Sequence, residues 1–374
     1  MTQAVLFETL ATTGGKKIGV ATLNAEKKLN SLSVEMVELL RPQLRQWEQD
    51  DSIVCVWLQG AGEKAFCAGG DIRNLYDRIK EVGAEQAADY CQAFFENEYR
   101  LDYQIHRFSK PLIVWGHGIV MGGGIGLMSG ASHRVVTEIS RLAMPEISIG
   151  LYPDVGGTWF LNHAPGRSGL FLGLTGANIN AADAMFVGMA DRFIPSAKKA
   201  AVLGALQAAQ WHAATRQNHA VVRHVLRDHE ALDQRPVSPV RQHFDLIQQL
   251  TDGDACADIV AKIGALQTDD PWLGKAVATL KKGCPTTAHL VYEQLQRGRK
   301  LSLEGVFQME LIMSVQCCLH ADFPEGVRAL LVDKDGQPKW RHDSVAAVPA
   351  TWVEQHFTAP TSWKNHNPLN DLGK

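Results

Sequence analysis

Residues 111–129, PLIVWGHGIVMGGGIGLMS, run from a short apolar stretch through a triple glycine into a second apolar stretch. LIVW, bounded by Pro111 and Gly116, reads as a buried strand, because four β-prone residues between turn formers are too short for a helix. Gly122–Gly124 then stand at the mouth of a helical stretch, where unpaired backbone N–H groups and the positive end of the helix dipole converge. An oxyanion or a phosphate is stabilised at such a point. Working outward, strand-like runs recur at IGVATL (18–23) and SIVCVWLQG (52–60), and helical patterns lie between them at 33–49 and from about Glu85 to Phe108. Ser33 is placed to cap the first of these helices, with Val34, Val37 and Leu40 following at helical spacing. The alternation predicts an α/β layered fold.

Beyond residue 165 the pattern turns helical and stays so to about 330, interrupted by a polar, proline-bearing joint at Asp233–Pro239. The expected organisation is a core over 1–200 and a mainly helical region over 201–374. LLVDKDGQPKW is expected to start as a strand and turn at Asp335-Gly336, and the tail beyond Thr358 is expected to be loose.

The chain has 374 residues, 45% hydrophobic and 21% charged, with a formal net charge of -3. That balance offers no basic stripe for nucleic acid or anionic membrane and favours a small-molecule partner. Without a signal-like N-terminus or a long apolar run, and with seven cysteines in no CxxC pair, a cytoplasmic protein with free thiols is expected.

Three glycine-dense segments could carry chemistry: AFCAGGD (65–71), MGGGIG (121–126) and PDVGGT (153–158). Gly69 and Gly70 offer a second set of amides beside those of the triplet. A dinucleotide fingerprint is excluded, because GxGxxG read from Gly122 ends on Leu127 and read from Gly124 ends on Ser129. MPEISIGLYPDVGG (144–157) holds two carboxylates eight residues apart, Glu146 and Asp154, flanked by Ile147, Ile149 and Leu151. Burial among such neighbours raises a carboxyl's pKa toward the range useful for proton transfer. No GxSxG elbow is present, since GRSGL at 166–170 has the wrong spacing. The histidines at 212, 219, 224 and 229 form no metal-ligand pattern, so no metal is expected. Cys67, next to the candidate amides, has no partnered base in view and reads as structural.

In order, LNAEKKLNSL (23–32), KAFCAGGDI (64–72), HGIVMGGGIGL (117–127) and MPEISIGLYPDVGGT (144–158) resemble the crotonase, or enoyl-CoA hydratase/isomerase, superfamily over nearly the whole chain. FFENEYRLDY (94–103) and DFPEGVRALLVDKDGQPKW (322–340) are similar to its branch that hydrolyses short 3-hydroxyacyl-CoA thioesters such as 3-hydroxyisobutyryl-CoA, a step of valine catabolism. The resemblance implies an α/β spiral of ββα units with a helical C-terminal region, and an acyl-CoA substrate. Coenzyme A is then part of that substrate and no separate cofactor is needed. It also implies oxyanion donors at the Gly70 and Gly123 amides, an acyl group near Glu98, Glu146 and Asp154, and the CoA end near Lys27, Ala68 and Ile72. Many relatives have proline before the lysine, where this chain has Glu26. Relatives are often trimers or hexamers, so self-association is a further expectation. Hydratases of this pattern carry a glutamate at the position of Gly126. Its absence favours thioester hydrolysis over the two alternatives, an enoyl-CoA isomerase or hydratase and a non-catalytic acyl-CoA-binding protein.

Overall fold

The structure, a computed structural model, describes residues 3–364 and 366–374; Met1, Thr2 and Asn365 lie outside the described residues. The strands are β1 (Val5–Ala11), β2 (Lys17–Leu23), β3 (Ile53–Gly60), β4 (Ala65–Cys67), β5 (Leu112–Gly116), β6 (Ile119–Met121), β7 (His133–Val136), β8 (Arg141–Ala143) and β9 (Arg192–Phe193). They form a six-stranded sheet in the order β1-β2-β3-β5-β7-β9 and a three-stranded sheet in the order β4-β6-β8. Each pair β3/β4, β5/β6 and β7/β8 therefore sends its first strand to one sheet and its second to the other before a helical segment follows. Repeating that step three times is the ββα spiral. Apart from the antiparallel β1–β2 pair, the large sheet is parallel.

Two compact units are each assembled from three chain segments. The first comprises Met1–Gly70, Leu101–Leu142 and Ile179–Ser238, the second Asp71–Arg100, Ala143–Asn178 and Pro239–Lys374. Residue 200 thus falls within the last segment of the first unit, and the joint at Asp233–Pro239 coincides with a change of unit.

The first unit holds the six-stranded sheet. Alternate residues of its strands, Ile18 and Val20, Cys55 and Trp57, Ile113 and Trp115, point to one face and pack with Val202, Leu206, Val222 and Leu226 from two helices, Lys199–Ala208 and Thr215–His229. Trp57 and Trp115 stack with ring centroids 5.4 Å apart. Helix α1 (Val34–Gln49) starts where expected, with the Ser33 hydroxyl accepting the Met36 N–H, and it runs through Pro42. The proline costs roughly 3 kcal/mol. Burial of Met36, Val37, Leu40, Leu44 and Trp47 on one face, at about 1.5–3 kcal/mol for each large side chain, outweighs it.

The second unit is mainly helical. It includes α2 (Arg73–Val82), most of α3 (Ala84–His106), and helices Pro285–Gly298 and Leu303–Leu319. Two expectations are corrected in this unit. The segment after Val327 is a π-helical turn, Arg328–Val332, rather than a strand. The Arg328 guanidinium gathers Glu325, Asp333 at 2.6 Å and Asp335 at 2.7 Å. An extended chain would put Asp333 roughly 17 Å from Arg328, out of reach. The tail is not loose in its described part. Trp363 and Leu369 are buried, and Arg100 holds the Pro368 carbonyl and both carboxylate oxygens of Asp371. Among the described residues, no helix is long and apolar enough to cross a membrane.

Candidate active site

In the first unit the candidate groups are backbone amides. Strands β4 and β6 are parallel neighbours, so the turns that leave their C-terminal ends lie side by side. Gly69 has φ +108°, and a Cβ on it would stand 3.4 Å from the Met121 carbonyl oxygen. Gly122 has φ 47° and opens α4 (Gly123–Ser129). Both angles are strained for residues with side chains, and a Cβ on neighbouring Gly124 would sit 2.3 Å from the Cys67 carbonyl oxygen. Glycine therefore lets the two turns touch. Gly123 is the first residue of its helix and has no intrahelical acceptor, and neither it nor Gly70 donates a backbone hydrogen bond among the described residues. Lys27 is exposed in a 3-10 turn, Glu26–Lys28, and the Ala68 N–H donates to the Leu29 carbonyl. Cys67 is buried, with its Sγ 3.8 Å from the Gly69 carbonyl oxygen.

In the second unit the candidate groups are side-chain acids. Ile72 belongs here, at the residue preceding α2. Glu146 opens a 3-10 turn, Glu146–Ser148, directly after Pro145. That turn is pinned on several sides. Cys284 N–H donates to the Ile147 carbonyl, and Gly150 and Gly326 permit contacts with the backbone of Asp322 and Ile149 that a Cβ would block. Glu146 is 5% exposed, and its Oε2 has no hydrogen-bond partner among the described residues. Burial, and then the nearby Asp154 carboxylate, push its pKa well above the usual carboxylate range.

Asp154 lies in the turn before α5 (Gly157–Asn162). The next residue, Val155, has φ 53°, an outlier for a β-branched side chain. Glu310 holds this turn in place: its two carboxylate oxygens accept the N–H groups of Gly156 at 2.8 Å and Thr158 at 2.9 Å. Burial raises the Glu310 pKa to about 8 despite those two bonds. The Tyr99 hydroxyl lies at hydrogen-bond distance, 2.7 Å, from Asp154 Oδ2, and burial lifts Asp154 to about 7. Glu98, buried on α3 one residue before Tyr99, is pushed up by burial and by Asp154.

The structure thus brings Glu98 and Glu146 each within electrostatic reach of Asp154. No Lys, Arg or His forms a salt bridge with any of them among the described residues. Three buried carboxyls without a cation are not all ionised together; Asp154 titrates near 7, and burial raises the other two. No group of three His, Cys, Asp or Glu able to hold a metal occurs among the described residues.

Four residues of this cluster escape a reading of the sequence: Tyr99, Tyr152, Glu310 and Ser314. Each is fully buried, or nearly so. A faint signal exists for two of them, since Glu310 and Ser314 stand one turn apart in the mostly apolar helix VFQMELIMSVQCCL. Buried polar groups at that spacing face one partner.

A sequence model of enoyl-CoA hydratase/isomerase matches residues 18–357. The chain belongs to the enoyl-CoA hydratase/isomerase family. Within that family it is 37% identical over 355 residues to a 3-hydroxyisobutyryl-CoA hydrolase, mitochondrial, of Danio rerio, covering 95% of this chain and 89% of the relative. A protein of the same name from Homo sapiens is 36% identical over 339 residues, or 91% of this chain and 86% of the relative. A solved structure described as a carnitinyl-CoA dehydratase from Mycobacterium thermoresistibile superposes with a TM-score of 0.83 at 36% identity, covering 96% of this chain and 97% of that one.

Proposed function

We propose that this protein hydrolyses a short 3-hydroxyacyl-CoA thioester, 3-hydroxyisobutyryl-CoA foremost, to the free acid and coenzyme A. The observation that carries the reading is Glu146, a buried carboxylate with one oxygen unpartnered, set beside Asp154. Relatives named 3-hydroxyisobutyryl-CoA hydrolase, matched over about nine-tenths of the chain, support it. Gly126 supports it as well, being buried in α4 where the hydratase pattern has its second water-handling glutamate.

The Gly70 and Gly123 amides are proposed to take the charge that grows on the thioester oxygen, worth on the order of a hundredfold to a thousandfold per donor. Glu146 either removes a proton from the attacking water or adds to the carbonyl to give a mixed anhydride that water resolves. Both routes need a carboxylate with a free oxygen. Asp154 and Glu98 set the protonation of that site and contact the acyl group, while Lys27, Ala68 and Ile72 hold the CoA end. Seven free, buried thiols suit a reducing compartment; the cytoplasm is the one proposed, and the relatives' names carry the word mitochondrial.

The test is thiol release across a panel of short 3-hydroxyacyl-CoA esters, with crotonyl-CoA as the competing substrate. Thiol release with the 3-hydroxyisobutyryl ester preferred is expected. Double-bond hydration without thiol release would replace this reading with the hydratase one, and binding without turnover would replace it with a carrier.

A further inference from the structure

A buried chain of oxygens leads away from Asp154 inside the second unit. Asp154 Oδ2 lies 2.7 Å from the Tyr99 hydroxyl, which lies 2.6 Å from Ser314 Oγ. Ser314 Oγ lies 2.8 Å from the Tyr152 hydroxyl, which lies 2.5 Å from the Glu310 carbonyl oxygen. Each of these four contacts is hydrogen-bond length and each needs one proton. The three hydroxyls bring one proton each, and the carbonyl brings none.

The directions can be assigned from the far end. A carbonyl only accepts, so the Tyr152 proton points to Glu310. The Ser314 proton must then point to Tyr152, and the Tyr99 proton to Ser314. Nothing remains for the contact between Tyr99 and Asp154 except a proton on Asp154 itself. If Asp154 is ionised, Tyr99 donates to it, and one of the other three contacts becomes oxygen against oxygen with no hydrogen between. Left unmade at full burial, such a bond is costly.

We infer that Asp154 rests as a neutral acid that donates to Tyr99, and that Ser314 and Tyr152 are positioning residues which fix that proton through the hydroxyl chain. The groups facing Asp154 agree. Glu98 and Tyr99 come from α3, Glu146 from its 3-10 turn, Tyr152 from the same loop, and Glu310, Cys317 and Cys318 from the helix Leu303–Leu319. None of them is a cation. A neutral Asp154 also removes the repulsion that would oppose an ionised Glu146, leaving burial as the cause that still raises it. Resting on the hydrolase reading, one further step follows. As the C–S bond breaks and its electron pair leaves with sulfur, the Asp154 O–H bond breaks and an S–H bond forms, giving the free thiol and an aspartate.

Infrared spectroscopy of the ligand-free protein labelled with carbon-13 aspartate tests the proton without using any activity. A carbonyl band of a protonated aspartic acid, absent from D154N, is expected at pH 6 and should disappear as the pH rises through about 7. In S314A the Tyr99 proton is released to Asp154, and in Y152F the Ser314 proton is released to Tyr99. Both favour the ionised form, so the midpoint should fall by about one pH unit or more, the scale of one buried hydrogen bond. Having two variants keeps the test sound if one fails to fold. No band in the wild type at pH 6, or an unmoved midpoint in both variants, overturns the inference. If the protein proves not to be a hydrolase, the band and its shift stand and only the sulfur step falls. On hydrolase activity, the same variants should move the alkaline limb of kcat to lower pH, whereas a merely structural role would lower kcat without moving it.

Discussion

In the proposed reaction the first unit acts through the main chain, and the second through side chains. Gly70 and Gly123 carry amides aimed by strand pairing and by turns that only glycine can make. Their geometry is fixed by the sheet and indifferent to pH. Glu98, Glu146 and Asp154 owe their properties to desolvation and to a scaffold of hydroxyls, amides and one further carboxylate. The first arrangement fails when backbone is displaced. The second fails when a proton or a hydrogen-bond partner is lost.

The sharpest way to break this contrast is at Glu146. E146Q keeps the shape and removes the base, and should lower kcat for thiol release by about a hundredfold to ten-thousandfold with the melting temperature nearly unchanged. Next is G124A, whose added Cβ would meet the Cys67 carbonyl oxygen at 2.3 Å. Separating the β4 and β6 turns should cost on the order of a hundredfold in kcat, with a pH–rate profile of unchanged shape. E310A leaves the Gly156 and Thr158 amides without acceptors. Chemical denaturation should report a loss of about 1–3 kcal/mol, with activity falling as the Asp154 turn loosens.

A smaller effect lies in the pH dependence of stability. Asp154 titrates near 7 when folded and near 4 when unfolded, so the native state binds this proton more tightly. Its stabilisation is fully present below about pH 4 and is lost as the pH rises through 7. D154N should flatten that slope in melts taken across this window. The smallest effect is expected from D371A, which removes a largely exposed partner of Arg100 and should cost ~0–1 kcal/mol.

The parts of the fold set by local pattern were legible in the sequence. Short β-rich runs such as IGVATL and SIVCVWLQG placed strands, Ser33 marked a helix start, and the glycines around 69 and 122 marked close turns. The ALLV segment misled because a short apolar run is ambiguous between strand and helix. What decides it is Arg328, which has to reach three acids at once. The tail misled because its composition is polar, while its anchoring rests on two buried residues, Trp363 and Leu369. Glu146 and Asp154 could be singled out because they share one short segment. The hydroxyl chain could not, since it joins residues 99, 152 and 314, and no periodicity links positions so far apart.

The seven cysteines offer a practical consequence. All are free and buried; burial pushes Cys256 and Cys284 up to about 12, whereas a hydrogen bond with Cys318 lowers Cys91, and in each case burial keeps the sulfur from reagent. Alkylation must then wait for local opening, so its rate reports native-state fluctuations. Cys55 and Cys67 would report on the first unit and the other five on the second. The protein thereby carries its own exchange probes, able to show whether the unit built on a sheet and the unit built on buried acids open together or apart.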